Sequence, residues 1–104
     1  MTIPETILQQ LGGDHFLAVT GAHHLIKYEN KILMTLTQNR SKANSLEIIL
    51  TDDGLYRMRF YRYIAPRFGK NYTPEKEVEI EQFEGLRGDQ LREIYERVTG
   101  QRTK

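Results

Sequence analysis

Apolar side chains recur at alternate positions in two runs within residues 44–64 (NSLEIILTDDGLYRMRFYRYI), and Asp52-Asp53-Gly54 lies between the runs. Period-two alternation around an Asp/Gly turn predicts a β-hairpin. Loop length sets its register. A two-residue loop would put Leu50 against Arg57 and Ile48 against Arg59, so the apolar faces would disagree. A three-residue loop puts Leu50 against Tyr56, Ile48 against Met58 and Leu46 against Phe60, with Glu47 against Arg59 on the opposite face. We take this register, with Gly54 in the left-handed conformation that glycine adopts without a Cβ penalty.

The rest of the chain is organised around this hairpin. Residues 2–11 predict a short helix. Thr2 and Glu5 have capping-box spacing, Pro4 lies in the first turn, Ile3, Ile7, Leu8 and Leu11 share a face, and Gly12-Gly13 is the stop. Residues 15–20 read as a strand, with a second helical turn as the alternative. Residues 24–28 and 31–37 predict another hairpin around Glu29-Asn30. A three-residue turn there would set Tyr28 against Ile32 and Ile26 against Met34. Residues 38–44 read as a mobile polar loop, and 65–74 as a connection bracketed by prolines. Residues 77–83 predict a strand with Val78 and Ile80 on one side and Glu77, Glu79 and Glu81 on the other. Residues 86–99 predict a helix with Asp89 as N-cap, the stripe Leu91, Ile94, Tyr95 and Val98, and Gly100 as the stop. Residues 101–104 read as a flexible tail. Helix, about five strands and helix add up to an α+β domain: an antiparallel sheet with both terminal helices on one face.

At 104 residues the chain predicts one domain with one modest core. Fifteen Lys and Arg against fourteen Asp and Glu give a net charge of +1. That balance argues against a surface that grips nucleic acid all over, but leaves room for a local basic patch. With no cysteine there is no disulfide framework and no thiolate ligand or nucleophile. No apolar run approaches a membrane span, and the opening residues lack the charged and apolar regions of a signal peptide, so the expected location is the cytoplasm.

No catalytic pattern stands out. Asp52 and Asp53 fit turn chemistry, in which Asp bonds the local backbone. His15, His23 and His24 match no metal-ligand spacing, and the glycines form no phosphate-binding loop, so no metal and no cofactor are expected. The conspicuous feature is the interleaving of Arg57, Arg59, Tyr61 and Tyr63 on one strand face, followed by Arg67, Phe68, Lys70 and Tyr72. Such a face can stack bases and hold phosphates, or serve as a protein-binding surface rich in hot-spot residues. The simpler reading is a cross-strand charge ladder with Glu47, Glu77, Glu79 and Glu81.

The two ends of the chain carry a resemblance. Thr6 to Gly13 (TILQQLGG), Phe16, Thr20-Gly21-Ala22, Asp89-Gln90-Leu91 and Val98-Thr99-Gly100 resemble a family of small proteins from bacterial phages, prophages and other mobile elements. The resemblance spans nearly the whole chain. It implies a mobile-element origin and a bacterial cytoplasm, and it carries no catalytic residues. In the proteins the chain resembles, the strand equivalent to 56–63 is often acidic or mixed, so the arginines here are a departure. The expectation is a non-enzymatic accessory protein that binds a macromolecular partner, most simply a protein such as a host-defence component. The expected contacts are Arg57, Arg59, Tyr61, Tyr63, Arg67, Lys70 and Tyr72. A nucleic-acid-binding module using the same face is the alternative.

Overall fold

The computed structural model describes residues 1–103. Three helices lie on one face of a five-stranded antiparallel sheet, so the α+β architecture is as expected. The elements are α1 (Ile3–Leu11), α2 (Gly13–Thr20), β1 (His23–Lys27), β2 (Lys31–Thr35), β3 (Ser45–Leu50), β4 (Tyr56–Ile64), β5 (Lys76–Leu86) and α3 (Leu91–Thr99), with a 3-10 turn at Gly88–Gln90 before α3. The strands form a meander in sequence order, β1 to β5.

The β3–β4 hairpin has the expected register. Leu50 faces Tyr56, Ile48 faces Met58, Leu46 faces Phe60, and Glu47 faces Arg59. Gly54 adopts φ 81°, as the three-residue loop requires. β2 extends the same rows, with Ile32 opposite Ile48 and Met34 opposite Leu46. These side chains are buried beneath the helices with Ile7, Leu11, Phe16, Leu91 and Tyr95. Phe16 meets Tyr95 edge to face at 4.8 Å.

Several expectations are corrected. Residues 15–20 belong to a helix, not a strand, so the alternative reading holds. Phe16 and Thr20 lie one turn apart, both buried, and the Thr20 hydroxyl donates to the Phe16 carbonyl at 2.7 Å. A short apolar run fits either period, and packing on Tyr95 decides for the helix. The first hairpin is shifted by one residue: Lys27 faces Ile32 and Ile26 faces Leu33. The turn is tighter than expected, with the Tyr28 amide bonded to the Lys31 carbonyl. A three-residue turn would have forced Lys31 into the left-handed region, which disfavours side chains carrying a Cβ. An irregularity between His23 and Ile26, with His24 at φ 53°, absorbs the offset. Ile26 is left half exposed.

α3 begins at Leu91 rather than at 86. Asp89 does not cap it but pairs with Arg87. The stripe Leu91, Ile94, Tyr95 and Val98 is buried as expected. Loop 38–44 is fastened rather than loose, through Asn39. The Asn39 amide nitrogen donates to the Thr37 and Ala43 carbonyls, and its oxygen accepts from the Ser41 amide and hydroxyl. Residues 101–103, expected to be loose, are also tied down. Thr103 is fully buried, its amide donates to Glu96, and Arg92 donates to its hydroxyl and carbonyl. Lys104 lies outside the described residues.

Candidate interaction surface on the sheet and its projecting arm

β4 and β5 are longer than their neighbours, and β5 runs eleven residues where a seven-residue strand was expected. Their paired ends leave the helical layer behind and form an arm. Its connection is closed by a two-way backbone bridge between Arg67 and Thr73, at 2.9 and 3.0 Å. Register shifts in β5 between the partners of Phe60 and Tyr61 turn both Ile80 and Phe83 toward the core. The same shift corrects the expectation for Glu81, which lies opposite Phe60 instead of joining Glu77 and Glu79.

The sequence-predicted residues fall into two sets. Arg57, Arg59 and Tyr61 lie on the sheet face away from the helices, and Arg59 is the hub of a charge ladder. Its Nε donates to Glu79 at 2.8 Å, it also bonds Glu77, and its Nη1 is 3.8 Å from Glu47. Glu47 in turn holds Lys31 at 3.3 Å. The Arg59 guanidinium lies over the Tyr61 ring at 4.0 Å from its centroid. Arg57 pairs with Glu84 at 3.6 Å. Burial works against the Arg59 cation, but the bonded carboxylates of Glu79 and Glu77 offset it and raise its pKa above the usual guanidinium value. Burial likewise raises the Tyr61 phenol. A guanidinium shared among carboxylates has few N–H groups left for a phosphate.

Tyr63 lies where the arm leaves the body and donates to Glu75 at 2.6 Å, a bond that raises its phenol pKa. Arg67, Lys70 and Tyr72 occupy the tip. There Phe68 is 80% exposed and Tyr72 61% exposed, with ring centroids 5.4 Å apart. Arg67 and Lys70 form no ion pair among the described residues, and no acidic residue occurs in 65–74. Phe68 is not among the contacts expected from the sequence. Two aromatic residues between prolines, with no apolar partner at strand spacing, were the available signal.

The remaining candidates are dispersed. Asp53 is in the β3–β4 turn, where its carboxylate accepts from Thr51 and the Leu55 amide, and these bonds lower its pKa. The rings of His23 and His24 are 4.8 Å apart, and His23 Nδ1 lies 2.8 Å from the Gly21 carbonyl. No group of three or more metal-ligating side chains occurs among the described residues. No helix among them is long and apolar enough to cross a membrane. No protein-family model, no curated protein and no solved structure matches the chain.

Proposed function

We propose that this chain is a non-enzymatic binding protein whose projecting arm docks a protein partner, with the Phe68–Tyr72 pair as anchor and Arg67 and Lys70 as its rim. The observation that carries this reading is the tip itself: two large aromatic side chains exposed side by side on a bridged turn. Aromatic side chains beside arginine are the residue types that dominate protein contacts. The two cations suit a partner surface of acidic character. The cytoplasmic and mobile-element setting, with a host-defence component as the class of partner, rests on the resemblance of the opening and closing segments.

Nucleic acid is the second reading, favoured by the same ring pair as a stacking platform. The ladder weighs against it, because Arg57 and Arg59 are already engaged by carboxylates. Two tip cations release few counterions, so phosphate contacts would add little affinity.

The test is cross-linked capture from nuclease-treated bacterial lysate with the wild-type chain and with Phe68→Ser/Tyr72→Ser. The reading expects a defined protein that the wild type retains and the double variant loses. Retention by both, or recovery of nucleic acid alone when nuclease is omitted, would overturn it.

A further inference from the structure

We propose that the notch between loop 36–44 and the root of the arm is an anion site for phosphate monoesters, held by Lys42 and Arg62. The notch encloses about 680 Å³, a volume suited to a small ligand. Lys42 and Arg62 both line it, with the amides of Gln38 and Asn39 beside them, and no carboxylate is among its lining residues. Lys31, Arg57, Arg59, Arg87 and Arg97 sit against carboxylates, whereas Arg67 and Lys70 at the arm tip do not. Lys42 and Arg62 form no ion pair among the described residues.

Strand alternation produces this segregation. On the arm, Arg62 faces Val78 and Ile64 faces Lys76, while Tyr61 faces Glu79 and Tyr63 faces Glu77. The acids therefore point to the ladder side, and Arg62 points to the helix side, toward the notch. Glu81, opposite Phe60, is the first acid met along that side of β5, and it is not among the residues that line the notch.

The site is also fixed in place. Arg62 Nη1 donates to the Lys42 carbonyl at 2.9 Å, which uses one of its five N–H groups. Lys42 holds φ 68°, a conformation unfavourable for a side chain with a Cβ. The Asn39 bonds, and the Ser41 hydroxyl accepting from the Ala43 amide at 3.1 Å, keep the loop in that shape. Backbone held in an unfavourable region by its own hydrogen-bond network is a feature of ligand-binding loops. The two cations match the charge of about −1.5 to −2 on a phosphate monoester better than the single charge of a carboxylate or a phosphodiester. Arginine supplies the planar fork and lysine the point charge.

The test is an NMR titration of the full chain at constant ionic strength. The probes are inorganic phosphate, glycerol phosphate, acetate and a short oligothymidylate. Inorganic phosphate and glycerol phosphate should give saturable shifts at the amides of Asn39, Lys42, Asn44 and Arg62, with Kd on the order of 1 mM. Lys42→Gln and Arg62→Gln should each weaken binding about tenfold, the loss expected for one charge-assisted hydrogen bond. Lys70→Gln at the arm tip should bind as the wild type does, which keeps this site separate from the partner-docking reading. Lys42→Gln leaves the backbone bonds of the loop in place, so it carries the test if Arg62→Gln disturbs the fold. No saturation, equal affinity for acetate or the oligonucleotide, or unchanged binding by Lys42→Gln would overturn the assignment.

Discussion

Arg59 Nε lies 2.8 Å from Glu79 Oε2 across the β4–β5 pair, and Glu47 approaches the same guanidinium from β3. One cation thereby ties three adjacent strands together. The Arg59 side chain is 21% exposed and that of Glu47 only 15%, so this cluster is screened less than a surface pair. Arg59→Gln should lower stability by about 1–2 kcal/mol, a value above the surface-pair median because three carboxylates lose one partner. Urea unfolding of wild type and variant measures it. The loss should persist in high salt more than the loss from Arg57→Gln, whose partner Glu84 is 66% exposed.

The two hairpin readings show where sequence suffices. In β3–β4, both apolar faces and the turn glycine agree on one register, and the structure has it. In β1–β2, Ile26 and Tyr28 pointed to a register that the turn could not adopt without straining Lys31, and turn geometry prevailed over side-chain alternation. The helix at 13–20 was ambiguous because six residues do not distinguish a period of 2 from one of 3.6. The contacts of Phe16 with Tyr95 that settle it join residues 79 positions apart. At the candidate surface, the Arg59 ladder was legible from the alternation of Glu77 and Glu79. The exposed Phe68–Tyr72 pair was not, since nothing in the sequence says that β4 and β5 outrun the helices.

Glycine replacements separate strain from clash. Gly54 has φ 81°, and an added Cβ would meet nothing within 4 Å. Gly54→Ala should therefore cost only the left-handed penalty of about 1–2 kcal/mol. Gly21 has φ 73°, and its Cβ would lie 2.7 Å from Thr37 Cγ2. Gly21→Ala should be the more destabilising of the two, because Thr37 is held by its hydroxyl bond to the Thr20 carbonyl. Paired thermal melts give the order.

The chain end is expected to act as a clasp. Arg92 reaches the Thr103 hydroxyl at 2.8 Å and its carbonyl at 2.6 Å, and Glu96 accepts the Thr103 amide at 2.8 Å. Truncation after Arg102 should destabilise the fold by about 2 kcal/mol, the net worth of these charge-assisted bonds. A loose tail would make the truncation neutral in a denaturant titration.

Alkaline pH should weaken the fold through tyrosine. Burial raises the pKa of Tyr95 above its ordinary value of 10.0, more than its hydrogen bonds to Thr20 and Thr99 lower it. The folded state then retains a proton that the unfolded state releases above about pH 10. This contribution is fully present below the unfolded value and is lost as pH rises through the folded one. Tyr95→Phe should lose about 1 kcal/mol near neutrality with its hydroxyl bond to Gln101. It should then decline less than the wild type between about pH 9 and pH 11, and denaturation at each pH shows the difference.

The central claim is a division of labour: the ladder arginine holds the sheet, and the arm tip makes the contact. The most direct measurement compares Arg59→Gln with Phe68→Ser/Tyr72→Ser for both melting temperature and cross-linked partner capture. We expect Arg59→Gln to melt lower and still capture, and the tip variant to melt as the wild type does and capture nothing. An Arg59→Gln chain that keeps its melting temperature but loses the partner, beside a tip variant that retains it, would contradict the account.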